Sequence, residues 1–435
     1  MRILLVNPRD NAYRPRRSAF ARSVSYPALT LTTIAGLVPP ELDAEVRILD
    51  EGVDETPIDF DVDVMGITVL AATSSRAYRI ADEARRRGVH VVLGGYHASC
   101  RPEEAADHAD TVIEGQADDS WPAFLRDFAA GRARARYTQD RLPDISGRPL
   151  PRRDLLKPGA YLPAMSIAAS RGCRNGCRFC ADSQYLGRQR IARPIVEVVA
   201  EIEQQRAKQL IFLDPNFHGD RDYSKELMRA LEPLGVSWYC LSTVGTGLDE
   251  ETLGLMRSSG CRGALVGFES VCQRSLGSMK RAGNRVERYH QALAGFRRHR
   301  ISVLGCFVLG FDDDERTIFD ETLDFVLHAD LDLVRYAVLT PLPGTALHDE
   351  LAGRGRIIEH DLTRYDFQHV VFEPARMSPQ ELRDGLSRCW RETYRPRRIA
   401  RRVLRARQDR VLTLMVNLAF TRYYRRLLVT AGASE

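Results

Sequence analysis

The chain has 435 residues, 44% hydrophobic and 28% charged, which suits a globular protein of two or three domains and excludes a fibrous or low-complexity chain. Its net charge of +5 is uneven: residues 391–426 hold twelve arginines against Glu392 and Asp409, so the rest of the chain is net acidic and no nucleic-acid partner is expected. No run reaches the ~18 apolar residues of a membrane span, the start does not read as a signal peptide, and nine cysteines point to reduced thiols in the cytoplasm.

Residues 1–130 alternate strand and helix signals. A short apolar run, Arg2 to Asn7, is stopped by Pro8. Residues 26–37 place Leu29, Thr33, Ile34 and Leu37 at helical spacing. Residues 45–49 and 64–69 read as strands, 74–87 as a helix, and 89–93 as a strand ended by Gly94 and Gly95. Val112 and Ile113 form a last short strand before Glu114 and Gly115. This alternation predicts an α/β domain with a parallel, doubly wound sheet whose ligands lie at the carboxyl ends of its strands. No G-x-G-x-x-G follows the first strand, which argues against a dinucleotide. Residues 131–160, rich in Arg, Pro and Asp, read as a linker.

Residues 161–345 carry a second alternating pattern that opens on three cysteines. Cys173, Cys177 and Cys180 stand at C-x3-C-x2-C spacing after a strand-like run at 165–169. Four thiolates would close a zinc site or a fully ligated iron–sulfur cluster. Three suit a [4Fe-4S] cluster with one iron left open, the alternative being a zinc knuckle with a remote fourth ligand. Gly172 and Gly176 let the backbone wrap closely. Strands follow at 209–213, ending in Asp214-Pro215-Asn216-Phe217, at 237–241, at 263–266, ending in Gly267 to Ser270, at 303–309, ending in Gly310 and Phe311, and at 334–339. Six strands are too few for an eight-stranded barrel, so a partial (β/α)6 barrel is expected.

Residues 346–435 read as a helical, Arg-rich region, with helices at 348–353 and 379–391 and a further segment broken by Pro396. Ile399, Val403, Leu404, Leu412 and Met415 fall near helical spacing. They are expected to pack on the body, with contact to an anionic membrane surface as the alternative.

The cysteine spacing, with Phe179 before the last cysteine, resembles the radical S-adenosylmethionine (SAM) superfamily. The resemblance implies that the open iron holds SAM, whose reductive cleavage gives a 5′-deoxyadenosyl radical. It puts Phe179 against SAM, Asp214 and Asn216 near its methionyl end, Glu269 on the amino group or ribose, and Gly310, Phe311 and Leu339 around the adenine. Pro215 interrupts the Gly-Gly-Glu or Asp-Asp-Asn that many relatives carry at that strand. The order of motifs in residues 1–130 resembles the cobalamin-binding domain fused ahead of some radical SAM domains. Tyr26, Leu29, Thr68, Ser74, Ser75, Gly94, Gly95, Tyr96, His97, Glu114, Gly115 and Gln116 would then face the corrin and its nucleotide tail. The D-x-H-x-x-G signature is absent, so no histidine is implied beneath cobalt.

The function so implied is cobalamin-dependent C-methylation of a small molecule, natural product or lipid-like, by a cytoplasmic enzyme. An external donor such as flavodoxin or ferredoxin would supply electrons. A cobalamin-free radical dehydratase, dehydrogenase or rearrangement enzyme is one alternative. A non-catalytic iron–sulfur or zinc scaffold is the other. No catalytic acid or base is assigned.

Overall fold

Val- and Ile-rich runs bounded by Gly, Pro and Asp fold into two six-stranded parallel sheets, each buried on both faces. The computed structural model describes residues 1–10, 26–139, 141–280, 283–329, 331–406 and 410–432. The first sheet comprises β1 (Arg2–Asn7), β2 (Glu45–Asp50), β3 (Val64–Thr68), β4 (His90–Gly94), β5 (Thr111–Gly115) and β6 (Arg136–Gln139). Its order is β2-β1-β3-β4-β5-β6, all parallel. Strand order therefore reverses between β1 and β3, where an open α/β sheet forms its ligand crevice. Helices α1 (Leu29–Gly36), α2 (Ser74–Arg86) and α3 (Tyr96–Cys100) follow β1, β3 and β4. Met65, Ile67, Ala77, Ile80 and Val91 fill one face of the sheet, and Ile3, Leu5, Val92, Trp121 and Phe124 fill the other. The expected domain end at 130 falls short of β6, which pairs with β5 from within the presumed linker.

Past the linker, β7 (Met165–Ile167) leads into a small antiparallel ribbon of β8 (Ser170–Arg171) and β9 (Ile191–Ala192), with α4 (Ala181–Tyr185) between its arms. Then come β10 (Gln209–Phe212), β11 (Ser237–Thr243), β12 (Cys261–Glu269), β13 (Ser302–Leu309) and β14 (Leu333–Val338). The second sheet runs β14-β13-β12-β11-β10-β7, all parallel and unclosed. The strand expected at 263–266 extends through Glu269, with a register shift against β13 between Gly267 and Glu269. That bulge twists the strand end and re-aims its last side chain.

The C-terminal region packs through α5 (Pro379–Thr393), α6 (Pro396–Arg405) and α7 (Arg410–Gly432). Ser378 and Glu381 cap α5 reciprocally, the Glu381 amide donating to Ser378 Oγ and the Ser378 amide to Glu381 Oε2. Pro396 holds Arg395 extended and separates α5 from α6, as expected. Trp390 stacks on Tyr424, and Tyr394 on Phe420. The expected apolar packing stripe divides. Ile399 is buried and Val403 packs on the core, whereas Leu404, Leu412 and Met415 are exposed. The reason is the aromatic shelf on α5, which takes the face of α7 bearing Asn417, Phe420, Thr421 and Tyr424 and turns the Leu and Met side chains outward.

Gly295 shows how tightly the second sheet is covered. A Cβ there would stand 2.1 Å from the Gly247 carbonyl oxygen. Gly295→Ala should therefore lower stability by about 2 kcal/mol or more. Urea unfolding checks this, and an unchanged midpoint would contradict it.

Candidate active site between the two sheets

The carboxyl ends of both sheets face one cavity of about 690 Å³. Thr68, Leu70, Gly94, Tyr96 and Gln116 line one wall, and Ser170, Arg171, Ala181, Tyr185 and Leu186 the other. Arg148, Pro149 and Pro151 from the presumed linker, and Tyr365 to Phe367 from the C-terminal region, close its rim. Three contacts hold the walls together. Arg171 donates to Asp118 at 2.6 Å and to Gln116 at 3.1 Å; the Tyr185 hydroxyl donates to the Gly115 carbonyl at 2.5 Å; the Tyr96 hydroxyl donates to the Pro343 carbonyl at 2.9 Å. Asp118 is only 4% exposed, and Arg171 is its ion-pair partner.

The cysteine loop starts where the second wall does. Asp214, buried at the end of β10, accepts from Ser170 Oγ at 2.5 Å and the Ala169 amide at 3.1 Å, fixing the chain just ahead of the loop. Burial pushes its carboxyl up. Gly172 has φ of +83°, and a Cβ there would meet the Gln189 carbonyl oxygen at 2.1 Å, so the β8–β9 ribbon admits glycine alone. Cys173 and Cys177 are buried and Cys180 half-buried. Burial, then the nearby Asp182, raises the Cys180 thiol. Among the described residues no three potential metal ligands already converge. The chemistry of the donor set carries the assignment: three soft thiols on one loop fit an iron–sulfur cluster far better than a hard cation.

Beside this loop lies a group of buried polar atoms without partners: Nε and Nη2 of Arg190, Oδ1 of Asn216 and both ring nitrogens of His218. Arg190 is nearly buried over the Tyr223 ring, with Asp220 at 3.7 Å. A Cβ at Gly219 would touch both Asn216 and Arg190, so these two are neighbours. Unmet polar groups in a folded core cost about 1–3 kcal/mol each and call for a ligand. The carboxylate and ammonium of an amino acid would satisfy the guanidinium and the amide oxygen, which fits the methionyl end of SAM. Glu269, half-buried at the end of β12, has φ of +67°. Such a conformation is strained for a non-glycine residue and is found where a site needs it.

The other expected SAM residues take supporting positions. Asp214 braces the cysteine loop with both oxygens engaged. Phe179 packs 6.1 Å from Phe311, which is buried. The Gly310 and Phe311 amides donate to Asp314, itself bonded to Ser275, and burial pushes Asp314 up to about 6. Leu339 is buried, its amide donating to the Leu309 carbonyl.

Of the expected corrin residues, Leu29, Thr68, Gly94, Gly95, Tyr96, Gly115 and Gln116 line the cavity. Gly95 has φ of +97°, and a Cβ would press on Thr68 Oγ1 at 2.9 Å. The rest do not line it. Tyr26 is exposed, Ser75 is exposed, and the Ser74 hydroxyl donates to the Ala71 carbonyl. Glu114 pairs with Arg136. His97 is fully buried with Nε2 3.2 Å from Glu104, and burial lowers its pKa, so it is neutral and turned into the domain. No described histidine lines the cavity, and Leu70 is 53% exposed into it. The cradle, lined by apolar side chains and by glycines and with no described histidine, fits a corrin that takes no histidine ligand. Sequence reasoning missed Asp118, Tyr185, Arg190 and His218, because none belongs to a local motif and all are brought in by tertiary contacts.

Comparison with known proteins agrees with this geometry. Residues 167–326 match the model of the radical SAM superfamily, and residues 32–125 that of the B12 binding domain. Bacteriochlorophyllide d C-12(1)-methyltransferase of Chlorobaculum tepidum is 30% identical over 98% of this chain and 93% of its own. Hopanoid C-2 methylase of Rhodopseudomonas palustris is 27% identical over 77% of this chain and 66% of its own. Among solved structures, the cobalamin-dependent SAM radical enzyme OxsB with aqua-cobalamin bound superimposes with a TM-score of 0.71 at 14% identity, covering 96% of this chain and 72% of that one. The radical SAM methyltransferase TsrM from Kitasatospora setae gives 0.63 at 19%, covering 81% and 76%.

Arg190→Gln should weaken SAM binding roughly ten- to a hundredfold while leaving iron content intact; calorimetry with iron analysis separates the two, and wild-type affinity would refute the role. Burial pushes His218 down to about 3, against ~6.5 in the unfolded chain. Its contribution to stability is thus present above ~6.5 and is lost as pH falls toward about 3. The ligand-free His218→Phe variant should lack that part of the acid limb, and an unaltered stability–pH curve would contradict the assignment.

Proposed function

The chain belongs to the radical SAM superfamily, among its members with a B12-binding domain, and from that premise we propose a substrate and a division of labour for the cavity. It is a cobalamin-dependent radical SAM methyltransferase that acts on a small molecule. The substrate in this reading is an apolar macrocycle of the chlorin class, methylated at a saturated carbon. One observation carries it: the similarity to the bacteriochlorophyllide d methyltransferase runs over 98% of the chain and so takes in both walls of the cavity. The apolar lining by Leu29, Leu70, Ile113, Leu186 and Leu342 supports the same class.

When bound, the cluster with SAM supplies a primary carbon radical, and cobalamin supplies the methyl group to be moved. The chain's own residues do the rest. Cys173, Cys177 and Cys180 would hold the cluster on a loop braced by Asp214. Arg190, Asn216 and Glu269 would receive the methionyl group. Gly310 and Phe311, fixed by Asp314, would back the adenine. Gly95, Gly115 and Leu70, which line the cavity, would hold the corrin. The rim from residues 148–151 and 365–367 narrows the mouth of the site, which limits the access of water to a carbon radical. Electrons come from an external donor of the flavodoxin or ferredoxin class.

The test is anaerobic turnover with hydroxocobalamin, a reductant and SAM deuterated at its methyl group, offering a chlorin and a hopanoid separately. The expected result is a labelled chlorin, with one S-adenosylhomocysteine and one 5′-deoxyadenosine formed per product. Label in the hopanoid alone would overturn the substrate class. A product formed with 5′-deoxyadenosine but no S-adenosylhomocysteine would overturn methyl transfer.

A further inference from the structure

At the opposite end of the second sheet, away from the cysteines, the structure has a second cavity of about 560 Å³. It opens where β13 and β14 begin, between the last turns of two covering helices and α6. Six arginines line it: Arg297, Arg300, Arg398, Arg401, Arg402 and Arg405. The single carboxylate among its lining residues, Asp332, accepts from the Val303 amide at 2.8 Å and feels the charges of Arg297 and Arg402, while Arg398 pairs with Glu392 at 3.4 Å. Arg402 lies 4.7 Å over the Tyr394 ring and donates from Nη2 to the Thr393 carbonyl, while its Nε is buried without a partner. So dense a set of guanidinium groups around one concavity favours an oxyanion, phosphate above all.

The same helix pair presents an apolar face. Leu404 of α6 and Val411, Leu412, Leu414, Met415 and Leu418 of α7 are six of the eleven large hydrophobic side chains exposed among the described residues. On α7, Val411, Met415, Leu418, Arg422 and Arg425 follow at alternating spacings of four and three, which puts them on one side of the helix. Val411 is 67% and Met415 58% exposed. The opposite side, with Asn417, Thr421 and Tyr424, is buried. Asn417 donates to the Asp332 carbonyl and so joins α7 to the loop lining the arginine cavity.

We infer that α6 and α7 dock the protein on an anionic lipid bilayer, the apolar side chains entering the headgroup boundary and the arginines receiving lipid phosphates. Charge decides the occupant. Residues 391–426 carry twelve arginines against two acids, so two copies of this face repel each other, while an anionic surface attracts it. The apolar row gives what charge alone lacks, a group that gains by leaving water. No described helix is long and apolar enough to cross a membrane, so the contact is with the surface. The face lies far along the strands from the cysteine loop and leaves the cavity between the two sheets open. The inference is independent of the methyltransferase reading.

The test is flotation of the reconstituted full-length protein with vesicles of phosphatidylcholine alone and of phosphatidylcholine mixed with phosphatidylglycerol. Binding should be seen on the anionic vesicles only and should weaken as salt rises. Arg401→Glu with Arg405→Glu, and separately Val411→Ser with Met415→Ser, should each reduce the partition coefficient at least tenfold. Unchanged melting temperature, iron content and 5′-deoxyadenosine formation would show that these surface variants are folded. No flotation, equal binding to both vesicle types, or variants that bind like the wild type would each overturn the inference. So would inorganic phosphate saturating the cavity with no vesicle binding, or a dimer that dissociates in the Val411→Ser, Met415→Ser variant.

Discussion

The Arg171–Asp118 ion pair is the contact on which the site depends. Arg171 sits two residues ahead of Cys173, and Asp118 follows β5 of the other sheet. The pair therefore ties the cysteine loop directly to the wall expected to carry a corrin. Asp118 is buried, so removing the Arg171 side chain with the walls in place would leave a carboxylate in a poorly solvated position, at a cost of about 2–4 kcal/mol once the partial exposure of Arg171 is discounted. Two hydroxyl-to-carbonyl bonds, from Tyr185 and Tyr96, add direction to that attraction. A radical enzyme needs this arrangement, because a carbon radical reacts with whatever is nearest, and the walls decide what that is.

Around this junction the structure spends stability on polar groups it does not satisfy. Arg190, Asn216 and His218 keep buried atoms unpartnered, and Glu269 holds a left-handed backbone at a bulge. The neighbouring carboxylates are paired by contrast: Asp214 has two donors and Asp314 three. Unmet guanidinium and amide groups next to a strained Glu269 near the cysteine loop are the pattern of a preorganised binding site rather than of a scaffold.

Much of this was legible in the sequence, and the part that was not has a common cause. Periodicity placed nearly every strand, since a strand buried on both faces reads as an unbroken apolar run whatever its neighbours are. The cysteine spacing and Gly172 announced the loop because its geometry is local. Residues whose roles arise from contacts distant in sequence were not legible. Asp118 matters only because Arg171 lies against it, 53 residues on. The stretch 131–160 reads by composition as a linker that packs no core, yet it adds β6 to the first sheet and supplies Pro149 and Pro151 to the cavity rim. His97 illustrates the converse: it stands in the right loop but turns inward to Glu104, which no spacing rule reveals. The C-terminal stripe was read as a packing face because helical spacing shows that a face exists without showing what covers it.

In this reading cluster and corrin sit side by side at the junction of the sheets, the cysteine loop adjoining the cavity through Gly172 and Ala181. Pulsed electron paramagnetic resonance on the anaerobic protein, holding both the reduced cluster and cob(II)alamin, tests it most directly. A dipolar coupling between the two paramagnets is expected, and it should disappear in a variant lacking Cys173, Cys177 and Cys180. Two full but uncoupled signals would place the groups in separate sites and contradict the account.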